Sequence, residues 1–288
     1  MTNLVEKHDI QKKLVVYQQE TGLSYGHIAQ QVGCSTAIIS NVANGKFDNI
    51  SPAMLQKVNQ VVTSQKESFH VLTTNNFNDI FKTCQQAKSH QFMIGLIGDT
   101  GLGKTLALKE FSRRKQVYYI EYCPTMTPKN FFEELLKAMG VAFIGSKHEM
   151  LNRIAEELNA VRNTLLIIDE VGQMSQAMFQ YLHTLRNKTM FNAGMVLSGM
   201  PYFEEYLKKL VRQQKQGASE FFRRINLWQY LKVPTKKEKR NMCMAYGIHD
   251  ESVIGEMNKY RDFGSLYNGI LFHQLLNAPL KEKEIATL

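Results

Sequence analysis

The sequence predicts an α/β protein whose parallel sheet is covered by helices on both sides, set between an all-helical N-terminal region and a small helical C-terminal one. Three observations carry this. Between about Phe77 and Val233, apolar runs of strand length alternate with helical patterns, the order that builds a parallel sheet. One run, Phe92-Met93-Ile94-Gly95-Leu96-Ile97, leads directly into Gly98-Asp99-Thr100-Gly101-Leu102-Gly103-Lys104-Thr105, an uninterrupted G-x-x-x-x-G-K-[ST]. Another, Leu165-Leu166-Ile167-Ile168, ends in Asp169-Glu170, and ligands sit at the carboxyl ends of buried parallel strands.

The elements follow in order. Residues 1–64 read as helical throughout. Ile10, Leu14 and Tyr17 share one stripe, and Ser24 caps a helix to Val32. Gly33-Cys34 breaks the chain, and Ser35 caps a helix from Thr36 to Ala43 that Asn44-Gly45 ends. Pro52 after Ser51 opens another helix, with Val58, Val61 and Val62 on its apolar face. The polar stretch 65–76 reads as a linker. In the core, 77–233, the strands are Phe92–Ile97, Val117–Tyr122, Thr164–Ile168, Gly194–Ser198 and a short one over Ile225–Leu231. Helices run over Leu106–Arg114, Lys129–Met139 and Met150–Val161. Residues 234–288 form the small helical region.

The bulk numbers set limits. The 288 residues suffice for two domains, and 44% hydrophobic residues argue against disorder. No apolar run approaches the roughly 18 residues of a membrane span, and the first residues lack the apolar core of a signal peptide. Cys34, Cys84, Cys123 and Cys243 are widely spaced and read as free thiols of a reducing compartment, so a cytoplasmic location is expected. The net charge of +9 favours an anionic partner. The excess is concentrated between Met200 and Arg240, with eleven Lys/Arg against four Asp/Glu; the first 66 residues hold six against four.

Each part of the glycine-rich loop has a physical task. The glycines let the backbone N–H groups converge on one anion, Lys104 adds charge near the β- and γ-phosphates, and Thr105 offers a hydroxyl to Mg²⁺. The helix opening at Leu106 points its N-terminus at the phosphates. ATP and Mg²⁺ are therefore the expected ligands of Gly98–Leu106. Asp169 is placed to hold Mg²⁺ through water, and Glu170 to polarise an attacking water. Ser198 either ends its strand as a plain cap or holds the water or γ-phosphate. Arg223 and Arg224 are either a solvated pair or reach the γ-phosphate of a neighbouring subunit.

The order of phosphate loop, Ile167-Ile168-Asp169-Glu170, a strand ending in Ser198, Arg224-Ile225 and Leu231-Lys232-Val233-Pro234-Thr235 with Glu238 resembles the AAA+ ATPases. Within them it is similar to the DNA-transposition ATPases of the MuB, TnsC and IstB type, over about Phe77 to Leu276. The resemblance implies an AAA+ P-loop domain with a helical lid over 234–288. It makes Lys104 the Walker A lysine, Asp169 the Walker B aspartate and Glu170 the catalytic carboxylate. Ser198 becomes sensor 1 and Arg224, or else Arg223, the arginine finger. It further implies homo-oligomers, rings or filaments, with ATP between subunits. One departure stands out: where relatives carry a lid arginine, Gly264-Ser265-Leu266 is followed by Tyr267, with Arg261 three residues before Gly264 as a substitute. Slow hydrolysis, or dependence on DNA or a partner, follows.

Residues 23–45 look like a helix-turn-helix of the λ-repressor type. Ala29 is small at the helix packing point, Gly33 sits in the turn, and Ile28, Val32, Ile38 and Val42 form the expected core. Ser35, Thr36, Ile39, Ser40 and Asn41 are placed on or near the recognition surface. A protein-docking role is the alternative. Within the ATPase, Thr125, Thr127 and Lys129 fall at a helix N-terminus suited to DNA phosphates, with helix capping alone as the other reading; Lys147 is a further candidate. In the family, the corresponding region tracks the DNA backbone. The implied function is an ATP-dependent protein that oligomerises on duplex DNA, selects a transposition target and recruits a transposase, with no membrane partner. A replication helicase loader or initiator has the same folds, and a regulatory or secretion ATPase is a third class.

Overall fold

A computed structural model describes residues 4–21, 24–47, 50–63 and 72–277. The chain divides into two compact units, Met1–Val71 and Leu72–Leu288. The first holds α1 (Leu4–Thr21), α2 (Tyr25–Val32), α3 (Thr36–Ala43) and α4 (Pro52–Thr63). Ile10, Leu14, Ile28, Ala29, Val42, Leu55 and Val58 form its core. Ser24 accepts from His27 N, and Gly33 ends α2 in the left-handed region at φ 74°, where a missing Cβ removes the steric cost. Ser35 occupies the N-cap of α3 without a side-chain capping bond. One expectation fails here: Ile39 is fully buried, and Ile38 is the half-exposed neighbour. The apolar face of α3 is phased on Ile39 and Val42, three apart, so it is rotated by one residue from the expected Ile38–Val42 stripe.

The second unit begins before the expected core. Residues 72–76 are not linker: Leu72 packs among the C-terminal helices, Thr74 caps α5 (Asn75–His90), and Asn76 is 3% exposed. Their polar character conceals the bonds that occupy it. Asn76 Nδ2 donates to Lys232 O at 2.8 Å and Leu102 O at 3.4 Å, and Asn76 Oδ1 accepts from Lys232 N at 3.1 Å. Expected linker residues 65–71 lie outside the described residues, as does the tail from residue 278.

After α5 come β1 (Met93–Ile97), α6 (Lys104–Ser112), β2 (Val117–Glu121), α7 (Pro128–Ala138), α8 (Lys147–Ala160) and β3 (Thr164–Asp169). A 3₁₀ turn at Val171–Gln173 leads to α9 (Gln176–Thr189), β4 (Ala193–Gly199), α10 (Pro201–Arg212), α11 (Ala218–Arg224) and β5 (Leu227–Tyr230). The strands pair in parallel in the order β2-β3-β4-β1-β5. The three central strands are buried at every position, as parallel strands covered on both faces must be, while β2 and β5 are partly exposed edges. Alternate residues feed two cores. Ile94, Leu96, Leu165, Ile167 and Val196 face α5 and α6, and Met93, Leu166, Ile168, Met195 and Leu197 face α7 to α11. The chain leaves β1 toward β2 and leaves β4 toward β5, so a crevice opens between the carboxyl ends of β1 and β4. Helices α12 (Lys236–Ala245), α13 (Glu251–Met257) and α14 (Phe263–Asn277) pack around Met242, Cys243, Ile254, Leu266 and Ile270. All four cysteines are free, and no helix among the described residues is long and apolar enough to cross a membrane.

Helix α5 approaches β4 at Gly194 so closely that a Cβ there would overlap the Ala87 carbonyl oxygen. Backbone cannot yield as a side chain would, so Gly194→Ala is expected to destabilise the second unit by about 1–3 kcal/mol. Trp228 is the only tryptophan and lies in this unit. Its fluorescence during chemical denaturation reads the effect.

Candidate nucleotide site

The glycine-rich loop leaves β1 in the β1/β4 crevice, where Gly98 N donates to Gly199 O at 3.2 Å. Gly101 (φ 74°) and Gly103 (φ 86°) take left-handed backbone, which lets the loop curl before α6 begins at Lys104. Asp99 and Thr100 are exposed on its outer side, Leu102 is buried beneath it, and Leu106 is exposed on α6. Lys104 is 6% exposed, and its ammonium group donates to the carbonyls of Gly98 (2.6 Å) and Asp99 (2.8 Å). Burial lowers its pKa, opposed by the charges of Asp169, Glu170 and Asp99. A buried cation held by neutral carbonyls inside a curled backbone fits an incoming phosphate.

Asp169 ends β3 with no exposure. Thr105 Oγ1 donates to its Oδ2 at 2.7 Å, Tyr119 Oη lies 3.3 Å from the same oxygen, and Glu170 N donates to its Oδ1 at 3.0 Å. Thr105 spends its proton on Asp169 and keeps its oxygen lone pairs, the arrangement a hydroxyl needs beside a hard cation. The pair therefore fits Mg²⁺. Glu170 adopts left-handed backbone (φ 57°), a costly conformation for a non-glycine residue that directs it away from the line of β3. Burial first, then the Asp169 charge, raises its pKa, partly offset by Lys104. Ser198 follows Leu197, the register partner of Ile168, and so lies beside Asp169. Its Oγ is buried with no hydrogen-bond partner in the structure.

Arg223 and Arg224 are not at this end. They form the last turn of α11, just before Asn226, whose N donates to Met93 O and whose Oδ1 accepts from Met93 N. Both arginines thus sit at the amino end of β1, about one strand length (roughly 15 Å) from the loop. Arg224 is close to His183 and Arg186. Burial first, then the Arg224 charge, lowers the pKa of His183 and brings that of Arg186 down to about 10. Arg186 is satisfied by Ala193 O (2.7 Å) and Gln91 O (2.5 Å).

The candidates for DNA contact in the second unit are exposed. Thr127 is engaged in a capping box with Asn130, Thr125 Oγ1 lies 3.1 Å from Cys123 Sγ, and Lys129 is 3.9 Å from Glu133. Lys147 lies over the Tyr181 ring, which packs on Phe132, so it is brought toward the first turns of α7. In the first unit, Ser35, Thr36 and Asn41 are exposed, and Ser40 is half-buried with Oγ accepting from Asn44.

Sequence reasoning missed three contributors. Asn76 binds the loop at Leu102. Tyr119 reaches Asp169. The start of α14 touches the loop: Gly264 N donates to Gly101 O at 3.2 Å, and Asp262 fills the space a Gly101 side chain would need. Asp262, whose carboxylate accepts from Ser265 N and Oγ, thus abuts the loop; Arg261 is exposed before it, and the Tyr267 ring packs on Tyr246. Of these, only Tyr119 had a signal, its period-2 spacing from Glu121 toward the carboxyl end of β2.

Residues 86–207 match a family model described as an AAA domain. The Mu-like prophage FluMu DNA transposition protein B of Haemophilus influenzae is 21% identical over 268 residues, covering 88% of this chain and 90% of that protein. Among solved structures, the Aeropyrum pernix ORC1 protein in complex with DNA aligns with a TM-score of 0.50 at 15% identity, over 71% of this chain and 62% of that one. The Thermotoga maritima RuvB Holliday junction branch migration motor aligns over 70% and 68% at 13% identity, but its TM-score of 0.37 adds nothing. The chain therefore carries an AAA+ P-loop domain and resembles the MuB-type DNA-transposition proteins.

Proposed function

We propose that this protein is an ATPase that assembles on duplex DNA with ATP bound between its subunits, marks that DNA as a transposition target and recruits a transposase to it. The observation that carries the assembly is the separation of the site's halves. Lys104, Thr105, Asp169, Glu170 and Ser198 gather at the carboxyl end of the sheet, whereas Arg224 lies at the amino end. One chain cannot bring both to one phosphate, so Arg224 serves the next subunit. That contact joins different surfaces of identical subunits, and such heterologous association closes into rings or runs on as filaments.

Within the site, Lys104 exchanges its two carbonyls for phosphate oxygens, and backbone N–H groups complete the cradle. Thr105 and Asp169 would hold Mg²⁺, which would supply positive charge beside the phosphates. Glu170, its pKa raised by burial, accepts the proton of the attacking water. The unpartnered Ser198 hydroxyl is free to orient that water or the γ-phosphate. Asp262 abuts the loop, and Tyr267 stands in sequence where relatives carry a lid arginine, which supports slow hydrolysis that depends on DNA or a partner. Arg261, one residue earlier and exposed, remains the lid's nearest substitute in sequence.

The transposition role rests on the relative named a DNA transposition protein, which matches along 88% of this chain. For DNA we assign Thr125, Thr127, Lys129 and Lys147 to backbone contact. We read α2 and α3 as a helix-turn-helix presenting Ser35, Thr36, Ser40 and Asn41. With no arginine among these last four, sequence-tolerant binding is the expected mode.

Three outcomes test the reading. Arg224→Ala and Lys104→Ala proteins, each inactive alone, regain ATP hydrolysis when mixed; no recovery from folded, co-assembling variants excludes an intersubunit site. Glu170→Gln slows turnover about 100-fold or more while electron microscopy still shows ATP-dependent assemblies; wild-type turnover removes Glu170 from its role. Replacing Lys129 and Lys147 together by Ala lowers the slope of log affinity for DNA against log salt by about 2, one per lost phosphate contact. An unchanged slope places the DNA elsewhere.

A further inference from the structure

A network on the outer side of Asp169 has no part in the function so far derived. Tyr119 and Glu121 lie two apart on β2, so both project from one face of this edge strand. Glu121 is the register partner of Asp169 itself. Lys109 stands one helical turn after Thr105 on α6, so the two share a helix face. Its ammonium group donates to Glu121 Oε2 at 2.8 Å and lies 5.5 Å from the centre of the Tyr119 ring. The Tyr119 hydroxyl is 3.3 Å from both Glu121 Oε2 and Asp169 Oδ2.

A phenol has one proton to donate, and here two carboxylate oxygens compete for it. Lys109 decides the competition. By pairing with Glu121 Oε2 it meets that oxygen's demand, which leaves the phenolic proton to Asp169. Asp169 then carries donors on both oxygens: Thr105 and Tyr119 on Oδ2, and Glu170 N on Oδ1. Its plane is fixed from three directions.

We infer that Tyr119 is a positioning residue for Asp169, aimed by the Lys109–Glu121 ion pair, and that it orients the carboxylate for the metal shared with Thr105. The inference rests on the proposed Mg²⁺-dependent nucleotide site. Groups that orient metal-binding side chains in this way set metal affinity over about 10–100-fold. The pair also joins α6, whose first turn carries Lys104 and Thr105, to the strand beside the one that ends in Asp169.

The test measures binding of a fluorescent ATP analogue by the full-length protein, in EDTA and across a Mg²⁺ series. Tyr119→Phe keeps the ring and removes only the hydroxyl. The expected result is an approximately tenfold higher Mg²⁺ concentration at the midpoint, with affinity in EDTA as in wild type and a single cooperative thermal transition. Lys109→Met, on an exposed side chain, shifts the midpoint in the same direction by less. A wild-type midpoint for Tyr119→Phe overturns the inference, as does an equal loss of affinity in EDTA. A wild-type midpoint for Lys109→Met overturns the aiming role. If wild-type protein itself shows no Mg²⁺ effect, the nucleotide-site reading fails and takes the inference with it.

Discussion

A carboxylate with no exposure must be answered by donors, and the site is arranged around that demand at Asp169. Transfer of an unpaired carboxylate into an apolar interior is prohibitively costly. The β3 strand that delivers it is apolar at every position from Leu165 to Ile168, so none of its own side chains can help. The donors come from elsewhere: the Thr105 hydroxyl from α6, the Tyr119 hydroxyl from β2 and the Glu170 amide from the chain that follows. Each constrains an element. The Thr105 bond ties the phosphate loop to β3. The Glu170 amide is part of a turn that adopts left-handed backbone. The geometry of the anion cradle and the direction of Glu170 are thus consequences of burying one charge.

Parallel strands impose the second constraint. Because every strand runs the same way, all the ends that carry ligand chemistry lie together, and the connection into β5 has to finish at the opposite end. An arginine in that connection, however close in sequence to the core, is carried away from its own phosphate loop. Arg186 keeps Arg224 in cationic company there and is itself committed to backbone carbonyls, while the same charge and burial lower the pKa of His183. Under the proposed reading, sheet direction alone makes the subunit incomplete.

Much of this was legible because it is local. The loop glycines, Lys104 and Thr105 are adjacent in sequence, and strand runs such as Leu165–Ile168 announce themselves by unbroken apolar character. Boundaries differed by one to three residues, as at Lys104, where α6 starts two residues ahead of the expected Leu106. What stayed hidden depends on contacts between distant residues. Asn76 lies in a polar stretch that reads as linker, yet it bonds Lys232 and Leu102, and nothing nearby in sequence signals either. The phase of α3 was misjudged because Ile38 and Ile39 are chemically identical neighbours. Only packing against α1 and α2 decides which of them turns inward.

The contact between α14 and the loop bears on how the lid can act. Gly264 N donates to Gly101 O, and the Asp262 carboxylate lies where a Gly101 side chain would be. Two glycines permit this approach, and the Asp262 oxygens are held by Ser265 rather than by a cation. The side chain that the lid presses against the anion cradle is a carboxylate, which adds no positive charge to a transition state. It can register whether the loop backbone is in place, since its hydrogen bond is to that backbone. Under the proposed reading, charge stabilisation then falls to Lys104 within the subunit and to Arg224 of the next one. In the proposed assembly, hydrolysis would therefore be governed by how neighbouring subunits pack rather than by closure of the lid over its own nucleotide.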